Sequence, residues 1–221
     1  MRDIAIKEDA LNGEKILRHL NWRYAVKGFD PEKKVSGKDW EALEKAAILA
    51  PSSYGLQPFR LVVITDPDMK ERLRPACNNQ PQITECSHLV VFAARKQFRE
   101  EHVDEFIELI SDVRGTPREK LQGLATAVEG TRRKYEDEGV SKFWSQRQAY
   151  ISLGFLLETA ALMGIDACPM EGFDPAKVDE ILGLEDYTAT ALCAVGYRTG
   201  DDWLAPLKKV RFPAEKMVIR F

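Results

Sequence analysis

The stretch 141–163 constrains the fold more than any other part of this chain. Phe143, Tyr150, Leu153, Leu156, Leu157, Ala160 and Ala161 recur there at helical spacing and cover a broad arc of the helix surface. A helix apolar over that much of its circumference is buried at a domain centre or pressed against another subunit. Gly164 follows at the position of a C-cap.

Around this helix the sequence offers short β-branched runs. R-L-V-V-I-T at 60–65 and H-L-V-V-F-A-A at 88–94 predict buried strands. T-A-T-A-L-C-A-V at 188–195, continuing into Gly196 and Tyr197, predicts another, and 165–168 a shorter one. A first helix is expected at 10–21, with Ile16, Leu17 and Leu20 on one face. Ser36 caps the next, with Asp39 as its charged partner. Trp40, Leu43, Ala46, Ala47 and Ala50 then keep helical spacing until Pro51. Asp66-Pro67 opens a further helix, and Asp174-Pro175 a short one that ends near Gly183. The charge-rich segments 100–113 and 117–138 are helical in period and are expected at the surface, as the most mobile region. Met217-Val218-Ile219 predicts an edge strand in the tail 206–221. Strands and helices mixed with long helical inserts give an α+β or α/β class. No repeat and no Gly/Ser/Pro linker divides the chain, so 1–221 reads as a single domain.

Composition excludes more than it assigns. Lys and Arg number 32 against 35 Asp and Glu, a net charge of −3. That is not the basic excess of a protein that coats nucleic acid. Any bound anion must be held by a local cluster of cations rather than by a global field. Cys77, Cys86, Cys168 and Cys193 form no C-x-x-C pair and read as reduced, mostly buried thiols. His19, His88 and His102 lack metal-ligand spacing, so no metal site is expected. The stretch 1–20 is charged throughout and no run is apolar enough for a membrane helix, so the expectation is a cytoplasmic protein. No G-x-S-x-G, H-E-x-x-H, Walker or G-x-G-x-x-G sequence occurs. An enzyme with no nucleophile, acid–base pair or metal in view must borrow a reactive group, which points to an organic cofactor.

Four segments are candidates to hold one. Arg23-Tyr24-Ala25-Val26-Lys27 sets two cations at a loop entry, where a solvated charged turn is the plain alternative. Ala50-Pro51-Ser52-Ser53-Tyr54-Gly55-Leu56-Gln57-Pro58-Phe59 offers hydroxyls, a glycine free to take positive φ and a stiffened exit, or is an ordinary helix-to-strand loop. Pro169-Met170-Glu171-Gly172-Phe173 lets backbone approach a flat ring at Gly172, or is a turn. In an extended Lys208-Lys209-Val210-Arg211, Lys209 and Arg211 point to one side as a phosphate grip, or belong to a solvated basic tail.

Taken in order, R-Y-A-V-K-G-F, A-P-S-S-Y-G-L-Q-P-F, N-Q-P-Q-I-T-E-C-S-H-L-V-V-F, R-Q-A-Y-I-S-L-G-F, C-P-M-E-G-F-D and L-K-K-V-R-F-P resemble the FMN-dependent nitroreductase family. The likeness is to its oxygen-insensitive NAD(P)H nitroreductase and dihydropteridine reductase branch, and it runs from about 21 to 212. P-S-S-x-x-x-x-P and P-x-E-G-F are its most specific motifs. The resemblance implies a nitroreductase-like α+β fold, a mixed β-sheet flanked by long helices, in a domain-intertwined homodimer. FMN then sits at the dimer interface, 206–221 reaches the partner subunit, and 98–140 forms a variable helical lid over the flavin. It implies ping-pong hydride transfer from NAD(P)H through flavin N5 to nitroaromatics, quinones or related small-molecule acceptors. A flavin, pteridine or enone reductase, and a non-catalytic flavin-binding redox sensor, remain as alternatives.

The same resemblance implies the site. Arg23, Lys209 and Arg211 would hold the FMN phosphate, with Tyr24 and Ala25 beside them. Lys27 would reach the pyrimidine edge, where a cation favours the reduced ring. Asn79 and Gln82 would bond the ring's polar edge, and Gln148 the ribityl chain. Pro51, Ser52, Ser53 and Gly55 would come from the partner chain. Pro169, Met170, Glu171 and Gly172 would bring a backbone N–H to the reactive nitrogen, so that Lys27 and Glu171 are the catalytic candidates. Ala25, Gly55 and Gln82 depart from the Ser, Asn and Lys common in relatives, which bears on redox poise and substrate preference.

Overall fold

The computed structural model describes residues 11–221. Position 10 of the predicted first helix, and the stretch 1–10 of the expectations for the N-terminus and domain span, lie outside the described residues.

Four strands form one sheet: β1 (Phe59–Ile64), β2 (His88–Arg95), β3 (Asp166–Met170) and β4 (Tyr187–Gly196), in the order β1-β2-β4-β3. Each pairing is antiparallel, with Leu61 opposite Phe92, Val90 opposite Cys193 and Cys168 opposite Ala194. A parallel contact comes from outside the strands, where Ala25 bridges Ala167. That bridge lays the segment after the first helix along the β3 edge.

The helices are α1 (Gly13–Trp22), α2 (Gly37–Ile48), α3 (Pro67–Leu73), α4 (Gln82–Glu85), α5 (Glu100–Arg114), α6 (Gln122–Asp137), α7 (Ser141–Leu162), α8 (Pro175–Leu182) and α9 (Ala214–Met217). Their starts follow local chemistry. The Ser36 hydroxyl accepts the Asp39 N–H at 3.1 Å and donates to the Asp39 carboxylate at 2.7 Å. Asp66 accepts the Met69 N–H at 2.8 Å with Pro67 in the first turn. Asp174 caps α8, and Gly183 closes it at φ +64°.

Both faces of the sheet are covered, which is why β2 and β4 read as nearly continuous apolar runs. On one face Val90, Phe92, Ala191, Cys193 and Val195 pack against Ala149, Leu153, Leu156 and Ala160 of α7 and Leu43 and Ala47 of α2. On the other, Leu89, Val91, Leu192, Ala194 and Cys168 meet Val26, Phe29, Leu73, Ile83 and Val178. The four cysteines are free and buried.

Two expectations need correction. The edge strand at Met217-Val218-Ile219 does not form: Met217 ends α9, and Val218, though extended, has no strand beside it to share a ladder. The charge-rich region is not merely surface. α5, the start of α7 and the α6 helix, which begins at Gln122 after a tight turn at Arg118–Leu121, enclose their own core of Phe98, Val103, Ile107, Ile110, Leu121, Val128 and Trp144. α7 carries apolar side chains beyond the face it turns to the sheet: Phe143, Tyr150, Ile151 and Phe155 are exposed among the described residues. Among the described residues no helix is long and apolar enough to cross a membrane, and no cluster of His, Cys, Asp and Glu could hold a metal ion.

Candidate active site

Arg23 ends α1 in an extended conformation, and the chain then runs along β3. Val26 is wholly buried, which turns its neighbour Lys27 the other way. Lys209, from the far end of the chain, returns to this point: its ammonium donates to the carbonyls of Leu20, at 2.7 Å, and Arg23. Burial lowers the Arg23 pKa, and the nearby Arg211 lowers it further. Burial likewise lowers that of Lys209, with Arg23 and Arg211 adding to it. Among the described residues no carboxylate forms a salt bridge with Arg23, Lys209 or Arg211. Three cations thus repel one another with no acid to offset them.

Four residues after Arg23, Lys27 lines a cleft of about 520 Å³ together with Gly28, Gln80, Gln82 and Trp203 and the carboxylates Glu85, Asp201 and Asp202. Gln82 is 3% exposed, and its amide oxygen has no hydrogen-bond partner. The buried Tyr24 hydroxyl lies near Asp202, and burial raises its pKa, with that carboxylate adding to the rise. Burial raises the pKa of the Cys168 thiol on β3, and the charges of Lys27 and Arg23 and a hydrogen bond from Gln82 oppose that rise. Pro169 and Met170 continue that strand.

A second locus adjoins the cleft through Gln80. Asn78 and Asn79 hold left-handed φ values of 54° and 53°. The side-chain amides of Asn78 and Gln80 donate to the Gly172 carbonyl at 3.0 and 2.8 Å. A Cβ on Gly172 would stand 3.3 and 3.4 Å from those nitrogens, so the close approach suits glycine. The Glu171 carboxylate accepts the Tyr150 hydroxyl at 2.5 Å. Burial, then that carboxylate, pushes the Tyr150 pKa up to about 12.

The third locus is apart from these. The Ser52 hydroxyl accepts the Gln57 N–H, and the Gln148 amide oxygen accepts the Ser53 N–H, both at 2.9 Å. The Gln148 NH₂ group donates to Trp144 O at 3.2 Å, so its amide braces the loop that follows Pro51. Tyr54, Gly55 and Gln57 all have positive φ, at 55°, 83° and 44°. Strained backbone at non-glycine positions clusters at functional loops, and here it falls in two of the expected ones. Gly55 opens on a groove of about 540 Å³ along β1, which shares no lining residue with the Lys27 cleft.

The structure therefore brings Arg23 to Lys209 and Arg211, Lys27 to Gln82, and the Asn79 turn to Glu171 and Gly172. It leaves Pro51, Ser52, Ser53, Gly55 and Gln148 as a separate unit. Sequence reasoning missed Asp202, Gln80, Asn78 and Tyr150. The Asn78-Asn79 dipeptide was a turn signal, whereas the partners of Asp202 and Tyr150 are distant in sequence.

A sequence profile of the nitroreductase family matches residues 20–197. The chain belongs to the nitroreductase family. A Staphylococcus haemolyticus protein with the provisional name of NAD(P)H nitroreductase is 37% identical over 219 residues, covering 93% of this chain and 96% of that one. YfkO of Bacillus subtilis, with the same provisional name, is 32% identical over 92% of this chain and 96% of its own. Among solved structures, a nitroreductase-like protein of Streptococcus mutans superposes with a TM-score of 0.82 at 18% identity, covering 94% and 98% of the two chains. A provisionally named nitroreductase of Exiguobacterium sibiricum, in complex with FMN, gives 0.78 at 21% over 96% and 98%. At these identities the likeness establishes the nitroreductase fold.

Proposed function

We propose that the protein is an FMN-dependent oxidoreductase that uses NAD(P)H to reduce nitroaromatics, quinones or related small-molecule acceptors, acting in the cytoplasm as a homodimer. The observation that carries this reading is that the Lys209 ammonium docks on the Arg23 backbone, with the charge of Arg211 nearby and no carboxylate paired to any of the three among the described residues. Cations held together against their own repulsion suit a phosphate, which brings charge of nearly −2 and three strong acceptor oxygens. The cleft lined by Lys27 suits the rest of FMN by the chemistry of its polar groups. Lys27 offers a cation, and Gln82 an orphaned buried acceptor. An unmet acceptor costs about 1–3 kcal/mol, a penalty that a ligand N–H would relieve.

The remaining roles follow. Lys27 sets positive charge beside the ring, where it favours the reduced form. Glu171, tied to Tyr150, holds its loop so that the Glu171–Gly172 backbone faces the ring, and the Asn78–Gln80 turn braces that loop from behind. Tyr24, Ala25, Pro169 and Met170 form the floor, and Asn79 meets the ring's polar edge. Bound FMN supplies the two-electron chemistry that links NAD(P)H to the acceptor; the protein contributes position and charge.

Pro51, Ser52, Ser53 and Gly55 serve the partner's site in this reading, and Gln148, which braces their loop, contacts the ribityl chain. Their separation from the Lys27 cleft supports it, as does the exposed apolar face of α7. The tail 206–221, with exposed Val218, Ile219 and Phe221, reaches that partner, and 98–140 is the lid over the flavin.

The purified protein should be yellow with flavin absorption bands. It should consume NAD(P)H faster when a nitroaromatic is added, and a panel of nitro, quinone and enone compounds ranks the acceptors. A colourless protein that takes up no added FMN would overturn the proposal.

A further inference from the structure

We propose that Asp202 is the positioning residue for Lys27, fixing through the backbone where its ammonium can reach. This rests on the function proposed above. Asp202 is 5% exposed. Its Oδ2 accepts the Lys27 N–H at 2.6 Å and the Gly28 N–H at 2.9 Å, and its Oδ1 accepts the Leu204 N–H at 2.9 Å. Lys27 and Gly28 lie 175 and 174 residues away in sequence, so one carboxylate ties the C-terminal segment to the loop after α1.

That loop is held from its other side as well. The Gly28 carbonyl accepts the Thr199 N–H at 3.0 Å, and a Cβ at residue 28 would stand 2.8 Å from the Thr199 hydroxyl. The two residues therefore have their backbone donors on Asp202 and their exit fixed by Thr199. The Lys27 ammonium forms no salt bridge among the described residues. A lysine on a flexible four-carbon stem is positioned only as well as its Cα, and here Asp202 holds that Cα. Burial alone would raise the Asp202 carboxyl, but the Gly28, Lys27 and Leu204 N–H groups outweigh it and keep it below the usual carboxylate range. Charge-assisted bonds of this kind are about twice as strong as neutral ones.

Asp202 shares the cleft with Lys27, and its effect runs through that residue, so the two should be coupled. The test is the reduction potential of bound FMN in wild type, Lys27→Met, Asp202→Asn and the double variant. Lys27→Met should lower the potential in wild type and lower it far less once Asp202 is Asn, because the ammonium is then no longer held. Equal potential shifts in the two backgrounds, or no shift from Lys27→Met in wild type, overturn the proposal. A second measurement needs no variant: amide hydrogen exchange at Lys27 and Gly28 in the apoprotein should be as slow as in β4. Exchange at open-loop rates there overturns the clamp even if Asp202→Asn does not fold. A wild type that binds no FMN contradicts the proposed function instead, and the exchange result on the apoprotein keeps the two failures apart.

Discussion

Gln82 holds a conflict that a ligand would resolve. Its amide oxygen is buried without a partner, an arrangement that destabilises the ligand-free protein. Gln82→Leu removes that cost, so the apoprotein should melt at a higher temperature while FMN affinity falls roughly tenfold, as trade-offs between stability and function run. Calorimetry with an FMN titration reads both; a variant that loses stability and keeps affinity would show the oxygen to be idle. At this scale the sequence was legible where chemistry is local. Arg23 and Lys27 flank one short segment, and Ser52 and Ser53 announce a polar loop. The bonds of the Gln148 amide to Ser53 and Trp144 were not legible, because they join residues from separate elements or a turn apart. Asp202 was likewise invisible, since nothing near it in sequence reveals that its donors are Lys27 and Gly28.

Among the helices, α7 contributes most to the core. Leu156 is 1% exposed between the helix and the sheet, so Leu156→Ala should cost about 2–5 kcal/mol, read from urea unfolding. A loss below about 1 kcal/mol would mean that the neighbouring side chains close the cavity. The opposite face carries Ile151 and Phe155, which the described residues leave exposed. Ile151→Glu together with Phe155→Glu should leave the fold intact by circular dichroism and yield a monomer by sedimentation, while wild type sediments at twice the chain mass. A monomeric wild type would remove the partner from the account. Helix starts at Ser36, Asp66 and Asp174 were readable because a cap is made within three residues. The tail strand was misread because β propensity says nothing about whether a neighbour exists to complete the ladder. The core under α5 and α6 was hidden because its apolar residues are spread thinly among charges.

For the molecule as a whole, acid should unfold it through its histidines before its carboxylates. Burial, with Lys70 and Lys34 nearby, pushes the His88 pKa down to about 4, and its ring stacks on Trp40 at a centroid distance of 4.0 Å. Burial and Arg95 push His102 the same way. The unfolded chain then binds protons below about pH 6.5 that the folded protein refuses, so stability is complete above that pH and is lost progressively down to about pH 4. Urea midpoints across that range should fall, and His88→Gln should flatten the slope; an unchanged slope would assign the loss elsewhere. The fold class was legible because cover on both faces of the sheet dictates long apolar strands. The assembly of a site from both ends of the chain was legible only through the resemblance, since Arg23 and Lys209 carry no sign of each other.

The account depends on the phosphate grip, and the comparison of FMN with riboflavin tests it most directly, because the two share a ring and differ by the phosphate. Measured by fluorescence quenching, FMN should bind at least about a hundredfold more tightly, as two or more charge-assisted contacts imply. Equal affinities, or riboflavin binding the tighter, would contradict the grip formed by Arg23, Lys209 and Arg211.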